Sequence, residues 1–559
     1  MATLPTTTSE LVQIETGRLP SKKIVNNLAA NELVFGVVGH AGSGTSRVAS
    51  ELKKVLEREQ VASHSFAVEI VKATNVIRNW ASTRGEAVPA AIASIQDAGR
   101  FQELGDRMRS EDPAKHGNDN AAVARDLILQ IRELRAALNK GTGGNPGLKI
   151  GERPRAYILD SLKHPAEVHL LRRVYQDAFV LLGIVCDPEV RQARLSKKYR
   201  DAGLTQIEDF MEEDADGGED HGQRVSDTFH LSDYFVDNSS DRSKDGEGVR
   251  EWTLVDELTR LVKILTHSEL KRPLPAEIAM NHAYAAQMQS ACLSRQVGAA
   301  IIDGHGNLLA SGCNEVPMAG GGVYGESLYE DAEDHRCAYD GKQCRNNEQQ
   351  AEIIDELIQK IPELNGLDGE KRRRLIKDLR KTRIGSLIEF SRAVHAEMDA
   401  ILTASRKGVP LTGATLFVTA FPCHYCARHI ISAGIHEVQY IEPYPKSKAL
   451  ALHQDAIETD PSKWVKPTED FAVAKEQLRK QEAAHSTVLF RPFVGVAPRF
   501  YKRAFLKNRE LKDKSSGKMV IAEPAWGQSW HLTKVSYVDL EERLAETVKA
   551  GGGEDEHKA

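Results

Sequence analysis

His395, Glu397, Cys423 and Cys426 are the residues of this chain whose types and spacing point most directly to chemistry. They stand as His-Ala-Glu at 395–397 and Pro-Cys-His-Tyr-Cys at 422–426. One imidazole and two thiolates can give a zinc ion three ligands and leave its fourth position to water. Zinc lowers the pKa of such a water from about 15.7 to roughly 7, which makes a nucleophile available at neutral pH. Glu397, beside the ligands but not one of them, is of the right type to carry protons to and from that water. Residues two apart on a regular helix point about 200° apart, so the His395–Glu397 pair is expected at a helix start bordering a pocket. Cys423 and Cys426, three apart, share a helix face, and the positive end of that helix favours their thiolates. A purely structural zinc would want four protein ligands and would leave Glu397 without a task.

The rest of the chain must position these groups. It has 559 residues, enough for two to four domains. No run of 18 apolar residues occurs, so no membrane span is expected, and the first 27 residues lack the apolar core of a signal peptide. Seven cysteines in a chain this long do not suggest a disulfide framework, and thiolate ligands fit a reducing cytoplasm. A net charge of −6 argues against a general nucleic-acid binder.

Residues 1–30 read as a flexible lead-in. Leu33–Val38 reads as a buried strand, followed by the glycine loop GHAGSGTS (39–46) and a helix from Arg47. Strand, glycine turn and helix in that order open a phosphate-binding domain, with Gly39, Gly42, Ser43, Gly44, Thr45 and Ser46 as its nucleotide-binding residues. Further strands are expected at Ala156–Leu159, Ala178–Cys186 and Tyr234–Val236, separated by helices at His164–Tyr175 and Glu189–Tyr199. This alternation predicts a parallel sheet flanked by helices over 31–265. Glu208–Asp220, with eight acidic residues, reads as a solvated loop. A boundary is expected near 266–275.

The second domain, 276–545, is expected to open with a helix over Ala276–Cys292. A hairpin follows, Val297–Ile302 and Leu308–Ser311. Residues 313–385 read as an exposed helical insert with eight Lys or Arg between Lys371 and Arg383. The helix opened by the His-Ala-Glu motif, the strand Thr415–Thr419, the helix from Cys423, the strand Val438–Glu442 and a β-like segment at 487–501 complete an α/β unit. Residues 546–559 read as a disordered tail.

H-x-E…P-C-x-x-C is the signature of zinc nucleobase deaminases, which implies attack on C4 of a cytosine-type base and loss of its exocyclic amine. Residues 276–450 go further and resemble the deoxycytidylate deaminases. The family's Cys-x-x-Arg-Gln-Val-Gly-Ala element stands at Cys292–Ala299, its Gly-x-Asn at Gly312-Cys313-Asn314, its zinc half-motifs at HAEMDAI and TAFPCHYCARHIISAGI, and a loop beside the substrate phosphate at EPYPKSKA (442–449). The resemblance implies Zn2+ held by His395, Cys423 and Cys426, and Glu397 as the catalytic proton carrier. It also implies Asn314 on the sugar, with Tyr444, Lys446 and Ser447 around the deoxyribose and phosphate. Phe421 and Tyr425 stand to stack on the base or pack in the core. Cys292, Cys313, His335, Cys337 and Cys344 raise the question of a second metal, though their spacing matches no strong template.

The whole arrangement resembles the bacterial anti-phage dCTP/dCMP deaminases, in which a P-loop kinase-like domain precedes a deaminase domain. The fold class expected is therefore α/β throughout: an N-terminal P-loop kinase-like parallel sheet with flanking helices, then a cytidine-deaminase-like α/β/α sandwich. The resemblance implies a cytoplasmic homo-oligomer that acts on dCMP or dCTP and depletes the dCTP pool of infected cells. Thr45 departs from the pattern, since it stands where the P-loop lysine belongs. Asp160, the pair Arg191 and Arg194, and Asp237-Asn238 still fit a nucleotide kinase, so an ATP-like or dNTP-like nucleotide remains the expected ligand there. Two rival readings are a polynucleotide cytosine deaminase, and a nucleotide-sensing switch whose first domain controls the second or docks an inhibitory RNA.

Overall fold

Leu33–Val38 reads as a strand without polar alternation because both of its faces are covered: every residue of β1 (Glu32–Val38) is buried in the computed structural model of the chain. The structure describes residues 32–61, 64–110, 119–139, 153–218, 220–239, 253–327, 333–364, 366–444, 447–467, 486–506 and 511–519. The chain divides into two compact units, 1–271 with 507–559, and 272–506. Of the residues expected in the second domain beyond Leu506, those at 507–510 and 520–545 lie outside the described residues. The lead-in expected over 1–30 and the tail expected over 546–559 lie outside the described residues.

In the first unit β1 is joined by β2 (Ala67–Lys72), β3 (Arg155–Asp160), β4 (Phe179–Val185) and β5 (Tyr234–Asp237). Across the sheet they run β5-β4-β1-β3-β2, each neighbouring pair parallel. Helix α1 (Thr45–Arg58) follows the glycine loop and buries Val48, Ala49, Leu52, Val55 and Leu56, a three-and-four spacing that makes one apolar stripe. Helix α2 (Pro188–Lys198) starts on a proline set in its first turn.

The acidic run corrects the sequence reading. From Glu208 to Ala215 it is helix, the body of α3 (Leu204–Ala215), and not loop, although most of its acids are exposed. Ile207, Phe210 and Met211 recur at helical spacing and pack with Leu195 and Tyr199. Asp214, the most buried of the acids, is paired rather than hydrated.

The second unit holds α4 (Pro275–Gln287), β6 (Gly298–Ile302), β7 (Leu308–Cys313), α5 (Ala396–Arg406), β8 (Thr415–Ala420), α6 (His424–Ser432), β9 (Glu437–Glu442), β10 (Ile457–Glu458) and β11 (Val488–Pro492). Its sheet runs β10-β11-β9-β8-β6-β7. The first three pairings, of which β9–β8 is the third, are parallel, whereas β6 lies antiparallel to both β8 and β7. Both units are therefore mixed α/β with mainly parallel sheets. Helix α4 ends at Gln287, short of the expected Cys292, because Ser290 takes over the local hydrogen bonding. Its hydroxyl donates to the Asn314 carbonyl at 2.7 Å and accepts from the Cys292 N–H at 3.2 Å. The β-like segment expected over 487–501 is β strand only to Val496, and Pro498–Phe505 is helix. Within the insert, the basic helix Gly369–Arg380 buries no residue, as expected for a solvated face. Among the described residues, no helix is long and apolar enough to cross a membrane.

Two glycines let helices lie directly on strands here. A Cβ on Gly312 would stand 2.4 Å from the Ala400 nitrogen and 2.6 Å from the Ala396 oxygen, both in α5. One on Gly298 would stand 1.9 Å from the Ala283 oxygen and 2.4 Å from the Gln287 nitrogen, both in α4. Backbone cannot yield as a side-chain tip can, so Gly298→Ala is expected to destabilise this unit by about 3 kcal/mol through overpacking. Calorimetric unfolding checks this, and an unchanged Tm would mean that α4 shifts at no cost.

Candidate active site and metal centre

Three donors converge at the ends of α5 and α6. His395 is the N-cap of α5, in extended backbone just before the helix begins. Cys423 is the N-cap of α6, and its sulfur accepts the Cys426 N–H at 3.5 Å. The His395 Nδ1 lies 3.3 Å from each of the Cys423 and Cys426 sulfurs. All three donor atoms fall within 4.8 Å of one another. Both cysteines are buried and the histidine half-buried.

This donor set fits zinc. Bond lengths of about 2.3 Å to sulfur and about 2.1 Å to nitrogen around one tetrahedral ion set its ligand atoms roughly 3.5 Å apart, close to the spacing seen. Among the described residues three protein donors meet here, the number that a catalytic zinc takes. The electrostatics favour a thiolate at Cys423 and oppose one at Cys426. The hydrogen bond from Cys426 holds the Cys423 thiol down to about 4, against its burial and with help from His395. Burial, then the partner sulfur and Glu397, push Cys426 well up. Burial opposes a charged His395, but the Cys423 sulfur outweighs it and leaves the imidazole above its ordinary value.

Glu397 occupies the first turn of α5 and is 4% exposed. Burial, reinforced by the charge of Cys423, pushes its carboxyl up to about 7, with His395 opposing. A carboxyl that titrates near neutrality can both take and give a proton, the property that general acid–base work needs.

The neighbouring chain holds these groups in place. The Val394 N–H donates to the Glu315 carbonyl at 3.0 Å, fixing the residue before His395. The Asp399 carboxylate accepts the Cys313 N–H at 3.1 Å, tying α5 to the end of β7. Asn314 is committed to backbone. Its Oδ1 accepts the Val297 N–H at 2.6 Å and its Nδ2 donates to the Arg295 carbonyl at 2.7 Å, so it shapes the 295–297 turn.

Arg295 pairs with Glu442 at 3.0 Å. Burial and the Cys423 charge raise the Tyr444 phenol while Arg295 opposes them, which places Tyr444 within electrostatic reach of both. The Ser447 hydroxyl donates to the Pro422 carbonyl at 2.8 Å and accepts the Ala449 N–H at 3.2 Å. It thus latches its loop to the residue before Cys423. Lys446 lies outside the described residues. Phe421 packs edge-on against Tyr440 and Phe490, with centroids 4.8 and 5.8 Å away, and is partly buried against the core. The Tyr425 ring carries Arg428 at 4.5 Å.

Sequence reasoning passed over Glu315, Asp399 and the Arg295–Glu442 pair as parts of the site. Arg295 and Asp399 stand inside the motifs, so a signal for them existed; Glu315 holds Val394 through its carbonyl and the Ala291 N–H through its carboxylate at 2.7 Å, contacts that no local pattern betrays. Cys337 is raised by burial and by the charges of Cys292 and Cys344, so these thiols are neighbours. Among the described residues, however, His395, Cys423 and Cys426 are the group that brings three donors together.

In the first unit the loop 39–46 curls between β1 and α1, with Gly42 and Gly44 at φ +82° and +85°. The Ser43 carbonyl accepts from Asn238 Nδ2 at 2.7 Å, and Arg194 donates to the Asn238 carbonyl at 2.8 Å. The Ser46 hydroxyl donates to Asp160 at 2.6 Å. Thr45 opens α1.

Residues 275–442 match the model of the cytidine and deoxycytidylate deaminase zinc-binding region. The chain is 32% identical over 177 residues to the deoxycytidylate deaminase of Enterobacteria phage T4, which covers 31% of this chain and 81% of that protein. The phage T2 deoxycytidylate deaminase is 31% identical over 175 residues, covering 31% and 84%. The crystal structure of dCMP deaminase from the cyanophage S-TIM5, in complex with dCMP and dUMP, is 20% identical. It covers 33% of this chain and 94% of that one with a TM-score of 0.20, and the family assignment rests on the sequence matches instead.

Proposed function

From a chain that belongs to the cytidine and deoxycytidylate deaminase family, we propose hydrolytic deamination of deoxycytidine nucleotides, dCMP and dCTP, to dUMP and dUTP with release of ammonia. The observation that carries this reading is the meeting of His395 Nδ1 with two buried sulfurs at 3.3 Å, one turn-start away from the buried Glu397. His395, Cys423 and Cys426 would hold zinc, which when bound supplies the Lewis acidity that makes water nucleophilic near neutral pH. Glu397 takes the proton of the water that adds to C4 and delivers it to N3 of the ring; it then takes the proton of the new C4 hydroxyl and passes it to the amine, which leaves as ammonia while the C4 carbonyl forms. Tyr444 closes on the deoxyribose, Asn314 faces the sugar from the turn it braces, and Lys446 with Ser447 serves the phosphate end.

The first unit binds a nucleotide through Gly39, Gly42, Ser43, Gly44, Thr45 and Ser46. Support comes from the strand–loop–helix order, the two left-handed glycines and the Ser46–Asp160 hydrogen bond. We further propose homo-oligomers, and depletion of the dCTP pool during phage infection as the biological output, on the resemblance of the whole arrangement to the anti-phage deaminases.

The test is a side-by-side assay of zinc-loaded protein on dCMP, dCTP, CMP and a cytosine-containing oligonucleotide. Ammonia and the deoxyuridine nucleotide are expected from the first two. Turnover confined to the oligonucleotide would replace this proposal with polynucleotide editing.

A further inference from the structure

A loop whose backbone N–H groups converge is an anion site. At Gly39–Ser46 a carboxylate of the chain itself has entered it. The Ala41 N–H donates to Asp214 Oδ2 at 2.7 Å. Asp214 comes from the last turn of α3 and is 1% exposed. Its other oxygen takes Lys163 Nζ at 2.7 Å, and the same ammonium stands 3.5 Å from the Gly39 carbonyl. Lys163 follows β3, yet its charge is delivered to the loop from which position 45 offers none.

Two further groups point to a larger anion than one carboxylate. The Ser43 hydroxyl, in a residue 1% exposed, has no hydrogen-bond partner among the described residues. A Cβ built on Gly39 would lie 2.4 Å from that oxygen, so the hydroxyl is turned into the curl of the loop. Arg191, whose carbonyl would stand 2.6 Å from a Cβ on Gly42, keeps a buried Nε without a partner among the described residues. Buried donors left in this condition cost free energy, and both border the segment that Asp214 enters. The end of α3 is also electrostatically poor: Glu212, Glu213 and Asp214 crowd a helix C-terminus, where the macrodipole is already negative. The contacts of Asp214 with Lys163 and Ala41 offset this.

We propose that Asp214 is a resident stand-in for phosphate, and that Lys163 is the cation that serves a nucleoside polyphosphate in place of the lysine absent at position 45. This rests on the reading that residues 39–46 take a nucleotide. The incoming polyphosphate accepts the Ala41 N–H, the Ser43 hydroxyl and the Lys163 ammonium. Asp214 withdraws, because two anions cannot share one amide and one ammonium. Nucleotide binding thereby loosens the last turn of α3, and the loop reports occupancy through that helix.

Titration of full-length protein with magnesium ATP, and separately with tripolyphosphate, tests this by calorimetry. Asp214→Asn keeps shape, removes the competing charge, and is expected to tighten ATP about tenfold by making the competent state the resting one. Lys163→Ala is expected to weaken ATP at least about tenfold, with recovery when Thr45→Lys is added. On the unaltered protein, ATP is expected to raise amide hydrogen exchange over 208–215, a measurement that does not depend on any variant folding. The proposal is overturned if Asp214→Asn binds ATP no tighter than wild type, if Lys163→Ala binds it equally well, or if exchange over 208–215 does not rise. Binding by wild type that ignores these changes would remove this proposal alone. No binding of either probe by any form would remove the nucleotide reading with it.

Discussion

Glu397→Gln is expected to lower kcat for dCMP by about 10²–10⁴-fold, the range that a positioned proton carrier contributes, while leaving zinc content at one ion per chain. Glutamine keeps the size of the side chain and the buried place in the first turn of α5, so the loss reports the proton and not the packing. The environment explains the size of the effect. Burial pushes the Glu397 carboxyl up to about 7 and the Cys423 charge acts in the same direction, so both protonation states are accessible where the enzyme works. Four transfers are asked of it in one turnover: from water, to N3, from the C4 hydroxyl of the adduct, and to the leaving amine. An amide can make none of them. Steady-state kinetics beside metal analysis decide the matter. A zinc-replete Glu397→Gln protein with wild-type kcat would assign the proton work to another group.

Cys426→Ala is expected to abolish both zinc retention and turnover. Changes to groups that merely orient ligands typically cost about 10–100-fold, and removing one of three ligands should exceed that. Cys426 is fully buried, and its sulfur lies 3.3 Å from His395 Nδ1 and in hydrogen-bond contact with Cys423. Its loss therefore leaves a half-buried imidazole and one thiol with no common centre. Stability should follow the metal. An ion present at about 1,000 times its Kd contributes about 4 kcal/mol by mass action, so stripping zinc from wild type with a chelator should lower Tm substantially. In Cys426→Ala the chelator should have little to remove. Zinc content is read by elemental analysis and Tm by calorimetry. Metal-free protein with full activity would end the proposed mechanism.

The legibility of this protein varied with the range of the interactions involved. β1, its glycine loop and α1 could be read as a run because each is defined by neighbours within a few residues. The start of α5 at the His-Ala-Glu motif could be read for the same reason: the two side chains could serve one pocket only from a helix start. Over 208–215 the acidic stretch is helix and not the expected loop, because the spacing of Ile207, Phe210 and Met211 outweighs charge density. What stabilises it is a partner far along the chain, Lys163, and a backbone amide farther still, at Ala41. The overlong prediction for α4 failed on Ser290, whose hydroxyl finds the Asn314 carbonyl across the fold. Asn314, assigned to the substrate sugar from its motif, also braces the 295–297 turn through both ends of its amide, a task that only the tertiary structure reveals.

The residue types alone determined which chemistry this chain can perform: one imidazole, two thiols and a carboxyl, spaced so that each pair lies within a single turn. Their meeting was decided by the tertiary structure. His395 reaches the two sulfurs across 28 and 31 residues, and Asp214 reaches Ala41 across 173. Local spacing dictates which way a side chain leaves its own helix or strand. Sheet order and register dictate which distant strand ends become neighbours, and no periodicity along the chain encodes that.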